Sequence, residues 1–135
     1  MAMDQPAPIN ARQVILVVDD DEGIRQSLSA LMEAEGFEVR AFSNGPELLN
    51  EASLPVIGCL LVDYHMPAMN GLELISALRD RGVSIPAILI TSDSAKYVRD
   101  RAAAVAVLVI EKPSPASYLV DSVREAVTKH ARSLR

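Results

Sequence analysis

Side chains able to do chemistry stand directly after short apolar runs at four places in this sequence. Asp19, Asp20, Asp21 and Glu22 follow VILVV, Asp63 follows CLLV, Thr91 and Ser92 follow AILI, and Glu111 and Lys112 follow VLVI. If those runs are parallel strands joined by helical crossovers, these residues share the rim at the carboxyl ends of the strands, where such sheets bind ligands. Three acids crowded together there either raise a pKa or hold a cation, and a purely oxygen donor set with room for water favours Mg²⁺ over a softer metal. Asp19, Asp20 and Asp63 sum to -3, which Mg²⁺ and Lys112 together cancel, so the rim is arranged to receive an anion.

Blander readings apply to some of these residues. Asp21 and Glu22 suit the positive end of a helix dipole. An Asx turn would account for Asp63 alone, but not for a threonine and a lysine on the same rim. A calcium loop fails, because it needs an acid or amide where Gly23 stands and a glycine where Ile24 stands. A hard cation would take the backbone carbonyl of His65 rather than its imidazole, and His130 reads as a solvated residue near a helix C-terminus.

The elements that must position this rim are legible as five alternations of a strand with an amphipathic run, the pattern of an α/β doubly wound parallel sheet. Expected strands are Val14–Val18, Glu38–Phe42, Val56–Val62, Ala87–Ile90 and Val105–Ile110; the second, with Glu38 and Arg40, suits an edge. A first helix carries Ile24, Leu28, Leu31 and Met32 on one stripe and ends at Gly36. Leu48, Leu49 and Ala52 mark a short second helix. A third runs from Gly71 to Arg81 with Leu72, Ile75 and Leu78 inward and Gly82 beyond its end. The fourth, about residues 94–103, has only Ala95, Val98 and Ala102 to bury, so it should anchor weakly and be the element that moves. The fifth starts with Ser114 as N-cap and Pro115 at its first position, and buries Leu119, Val123 and Val127.

At 135 residues and 50% hydrophobic, the chain fills one core without disulfide or structural metal. Its net charge of -5 argues against a nucleic-acid or anionic-membrane surface. No apolar stretch reaches membrane-spanning length. Cys59 lies in an apolar run and has no partner for an internal disulfide, which fits a reducing cytoplasm. Residues 1–12 read as a flexible leader, 13–131 as the domain and 132–135 as a C-terminal tail.

VILVVDDDEGIRQSL, LLVDYHMPAMNGLEL, AILITSD and VIEKP, in that order, resemble the receiver domain of two-component response regulators over about residues 13–131. The resemblance implies a flavodoxin-like, CheY-like five-stranded sheet of order 2-1-3-4-5. It implies Asp63 as phosphoacceptor, Asp20 as a direct Mg²⁺ ligand, Asp19 as a ligand largely through water, and the His65 carbonyl as a further ligand. Thr91 and Lys112 would bind phosphoryl oxygens, and Lys112-Pro113 would be cis. The donor would be a sensor histidine kinase, and a homodimer through helix four, strand five and helix five is an expected partner mode. Such a chain is not an enzyme toward other molecules, since it promotes only its own phosphorylation and dephosphorylation.

Two positions depart from the family pattern. Val109 stands where a Tyr or Phe is usual three residues before the lysine, which removes a ring-rotation switch; Tyr97 is a candidate replacement. Val105 stands where the fifth strand usually begins with glycine, so the preceding turn should be altered. Tyr64 and His65 either tune the phosphoryl lifetime or are ordinary loop side chains. The alternative function is a pseudo-receiver, a docking module independent of phosphorylation, for which Val109 is the best support. An aspartyl-phosphate hydrolase and a flavin binder are disfavoured: the first lacks a threonine in its nucleophile strand and a cap, the second a Gly/Ser/Thr phosphate cradle.

Overall fold

The computed structural model describes residues 13–51, 53–92, 96–112 and 114–134. Among the described residues five strands and five helices alternate: β1 Val14–Val18, α1 Glu22–Ala34, β2 Glu38–Phe42, α2 Gly45–Leu49, β3 Gly58–Asp63, α3 Gly71–Asp80, β4 Ala87–Thr91, α4 Lys96–Ala104, β5 Leu108–Glu111 and α5 Ala116–Ser133. All strand pairs are parallel, in the order β2-β1-β3-β4-β5, the doubly wound arrangement expected, with β2 at an edge.

Alternation along the strands supplies a core to each face. Leu16, Val18, Leu60, Val62 and Leu89 pack with Leu48 of α2, Leu74, Ile75 and Leu78 of α3, and Val98 and Ala102 of α4. Ile15, Val17, Cys59, Leu61, Ile88 and Ile110 pack on the other face with Met32 of α1 and Leu119, Val120, Val123 and Val127 of α5. As expected from composition, α4 buries only Val98 and Ala102 among its described residues, a small apolar anchor.

Register brings the rim together. Val18 pairs with Val62, so Asp19 and Asp63 each stand one residue beyond adjacent positions on neighbouring strands. On the other side Asp63 pairs with Ile90, and Thr91 with Glu111, so Thr91 and Lys112 complete the same edge.

Local chemistry sets the element ends. Asp21 caps α1 by accepting from the Ile24 amide at 3.0 Å, and Asn70 and Glu73 form a reciprocal capping box at α3. Gly36 and Gly82 leave α1 and α3 with φ of 95° and 82°, as expected.

Several boundaries differ from the sequence expectation. β3 begins at Gly58, not Val56, which is 70% exposed. β5 begins at Leu108, not Val105, because the amides of Val105, Ala106 and Val107 turn back to the carbonyls of Ala102 and Ala103 and close α4. Three β-branched or small apolar residues that read as strand are spent on this helix terminus. β4 extends to Thr91. In α3 the sequence missed Leu74, which is fully buried, while Leu72 is only half-buried. Ile24, placed on the inner stripe of α1, lies in its exposed first turn. Pro115 occupies the N-cap of α5, not Ser114, and no side chain caps that end. Arg132 and Ser133, expected in the tail, are helical. His130 is half-buried rather than solvated: its Nε2 lies 3.4 Å from Ser84 Oγ, and its Nδ1 is enclosed without a partner among the described residues. The expected leader, Ala52, residues 94 and 95 of the fourth helix, and Pro113 with its peptide bond lie outside the described residues.

The turn before β5 puts Ala106 at φ 58°, in the left-handed region that favours glycine. Ala106→Gly is therefore expected to stabilise the domain by roughly 0.5–1 kcal/mol. Ala103→Gly, in the exposed face of α4 three residues earlier, should destabilise it by about 1 kcal/mol. Urea unfolding of the two variants checks the opposite signs.

Candidate functional site

Asp19, Asp20 and Asp63 each offer a carboxylate oxygen lying within 4.8 Å of the others. Asp19 is buried, Asp63 half-buried and Asp20 exposed, so the cluster opens to solvent on one side. Lys112 Nζ reaches in to 3.5 Å from Asp63 Oδ1 and 4.0 Å from Asp19 Oδ2. Backbone groups hold the rest: Asp19 Oδ1 accepts from the Asp21 amide at 2.9 Å, and Arg25 donates to the Asp19 carbonyl at 2.7 Å. The Lys112 amide donates to the Thr91 carbonyl at 2.8 Å, fixing the lysine to the end of β4.

The loop after Asp63 approaches its own strand closely. The Gly71 amide donates to the Tyr64 carbonyl at 2.9 Å, and a Cβ at Gly71 would lie 2.6 Å from the Asp63 carbonyl oxygen. Only glycine fits there. Ala68 in the same loop has φ 72°, a strained value for alanine. Tyr64 is 6% exposed and belongs to the core beneath α3 and α4, with its ring edge-on to exposed His65. Tyr64 is thus no ordinary loop side chain.

Electrostatics follow from this crowding. Burial raises the Asp63 pKa above its ordinary value, Lys112 opposes the rise through its charge and hydrogen bond, and Asp20 adds to it. Burial also raises Asp19, opposed first by the hydrogen bond from Asp21. Three carboxylates against one amine leave a net negative cradle built of oxygen. Two ligands of one Mg²⁺ lie at most about 4.2 Å apart, so a 4.8 Å spread fits that ion when some contacts run through water.

Asp19, Asp20, Asp63 and Lys112 are thus brought together as the sequence suggested. Thr91 is fully buried at the adjacent strand end, and His65 stands two residues beyond Asp63. Asp21 is a helix cap, not a fourth member. Val109 is half-buried against the core on the α4 side, where it offers no ring to rotate. One neighbour of the site escaped sequence reasoning, and a second was named only as a stand-in for the missing aromatic. Arg25 reads as a solvated helix residue until α1 places it against Asp19. Tyr97, half exposed on α4, borders a cleft of about 440 Å³ with Asp20, His65, Met66 and Asn70. The sequence offered Tyr97 as a replacement for the missing aromatic, and the docking of α4 sets it beside the acids.

The family model described as the response regulator receiver domain matches residues 15–124. The chain belongs to the response regulator receiver domain family. Response regulator protein TmoT of Ectopseudomonas mendocina is 38% identical over 78 residues, covering 58% of this chain and 36% of that protein. The receiver thus spans about a third of that relative's length. Among solved structures, a CheY-like receiver domain protein from Methanospirillum hungatei superposes with a TM-score of 0.83 at 24% identity, over 90% of this chain and 98% of that one. Response regulator protein TrrA from Thermotoga maritima, solved in complex with Mg²⁺-BeF, gives 0.74 at 27% identity, over 84% and 98%. The fold is therefore the CheY-like, flavodoxin-like one. Receiver domains bind Mg²⁺ at an acidic pocket, and the described residues of this receiver carry one such cluster.

The raised carboxyl pKa has a definite sign in stability. A carboxyl whose folded pKa exceeds its unfolded value binds more protons in the native state, so its contribution is fully present below the unfolded value of 3.8 and is lost as pH rises through the folded pKa. In chelated, metal-free protein at pH 7, Asp63→Asn should therefore unfold at a higher temperature than the wild type. The gap should close as pH falls toward 4. Thermal melts across that range read it directly.

Proposed function

We propose that this receiver takes a phosphoryl group onto Asp63 from the phosphohistidine of a sensor histidine kinase and relays it through α4. The observation that carries the reading is the Lys112 amine, 3.5 Å from an Asp63 oxygen that crowding with Asp19 and Asp20 would otherwise make unwelcoming to an anion. Asp63 attacks phosphorus in line. A P–O bond to the carboxylate forms, the P–N bond breaks, and the imidazole departs with the electron pair and takes up a proton. Lys112 and the Thr91 hydroxyl bind the phosphoryl oxygens. Mg²⁺, held by Asp19, Asp20, Asp63 and the backbone carbonyl of His65, would supply the positive charge that offsets those oxygens. Water later cleaves the acyl phosphate and restores the carboxylate, so the protein turns over only its own phosphoryl group.

Phosphorylation adds a charge of about -2 beside Thr91, at the entrance to α4. Because α4 is held by Val98 and Ala102, little apolar contact opposes its movement. Tyr97, which borders the acid cleft, is the aromatic placed to follow that movement in place of Val109. The readout surface is α4, β5 and α5, where a second copy docks. A cytoplasmic setting suits both the kinase and the buried, unpaired Cys59 thiol.

Val109 favours one rival, a docking module that needs no phosphorylation. Mass spectrometry after incubation with acetyl phosphate and Mg²⁺ separates them. The proposed reaction adds one phosphoryl group, absent with a chelator and absent in Asp63→Asn, and Lys112→Met slows it by roughly 100–1,000-fold. A wild-type protein that gains no mass leaves only the docking module.

A further inference from the structure

On the α4 side of the domain, well along α3 from its capping box, the two helices leave a cleft of about 350 Å³ between them. Leu72 and Ile75 of α3 form one wall, and Ala104 with the exposed Val105 forms the other. The volume is at the small end of the range that holds compact organic ligands, about 300–1,000 Å³. It is far too small for a helical partner, and its walls are almost wholly aliphatic.

The rim is charged and unbalanced. Arg79, Arg101 and Asp80 surround the cleft, two guanidiniums against one carboxylate. Neither arginine has an acid within 4.0 Å among the described residues. Among the described residues Arg79 gives one hydrogen bond, to the Val83 carbonyl at 3.0 Å, out of five that a guanidinium can donate. Arg101 stands 5.9 Å over the Tyr97 ring. Packing around the Arg79 guanidinium partly desolvates it and lowers its pKa, a penalty that a bound anion would relieve.

We propose that the α3–α4 seam is a binding site for a small organic carboxylate, whose apolar body lies between Leu72, Ile75 and Val105 and whose head pairs with Arg79 and Arg101. The charge complement excludes amines, and the aliphatic walls exclude highly polar anions such as inorganic phosphate. The site is distinct from the acidic cluster and stands whether or not Asp63 is phosphorylated. A bound molecule would touch α3 and α4 together and so fix their spacing.

The test titrates the whole 135-residue chain with octanoate and, separately, with octanamide, following backbone amide resonances by NMR. Octanoate should shift residues 72–80 and 101–105 saturably, and octanamide should bind roughly tenfold more weakly. Arg101→Gln should abolish that preference; it is the primary variant because Arg101 makes no hydrogen bond or ion pair among the described residues, whereas Arg79→Gln also frees the Val83 carbonyl. The proposal is overturned if the seam shows no saturable shift, if the two compounds bind equally, or if both variants keep the wild-type preference.

Discussion

Repulsion among three carboxylates, answered by a single lysine, is the constraint around which this domain is organised. Parallel register fixes it: Val18 beside Val62 sets Asp19 next to Asp63, and no side-chain rotation can separate acids that leave adjacent strand ends in the same direction. The burial that raises both pKa values is the burial that makes the sheet stable, since the residues immediately before them are the core. A chain with acids at these adjacent strand ends therefore carries an electrostatic cost at its rim that a cation or a neutralising amine must offset.

Much of the surrounding structure holds that cost in place. Asp21 turns its amide onto Asp19 while its side chain caps α1, and Arg25, one turn on, fastens the Asp19 carbonyl. Gly71 lets the following loop press against the Asp63 carbonyl, and the alanine at position 68 accepts a left-handed backbone so that the loop can turn back. These are positional devices, and they leave the carboxylates little room to relax apart. By contrast α4, which borders the same rim, is anchored by two small buried side chains, Val98 and Ala102, so little apolar area resists its movement.

The rim was legible in the sequence because each of the four strands that build it ends where an apolar run meets a polar residue, a change of hydrophobicity that survives any tertiary context; the sheet order followed from the family resemblance alone. The boundaries around Val56 and Val105 were not. Valine favours strands, yet at Val105 the need to close α4 through backbone hydrogen bonds outweighs that preference. Leu74 was missed because a helix lying on a sheet buries a wider face than the three-residue stripe read for it. Arg25 and Tyr97 reach the site from helices, and the side a helical residue faces at its terminus depends on how the helix docks, which the sequence does not state. His130 illustrates the same point, since its environment is made by Ser84 from the loop before β4.

If the account is right, the acidity of one group reports it most directly. Carbon-13 NMR titration of the Asp63 side-chain carboxyl in metal-free protein should give a pKa above 3.8, and Lys112→Met should raise it further by removing the charge that opposes the rise. An Asp63 that titrates at or below 3.8, or that ignores the loss of Lys112, would contradict the view that burial and crowding at this rim, tempered by one amine, govern the site.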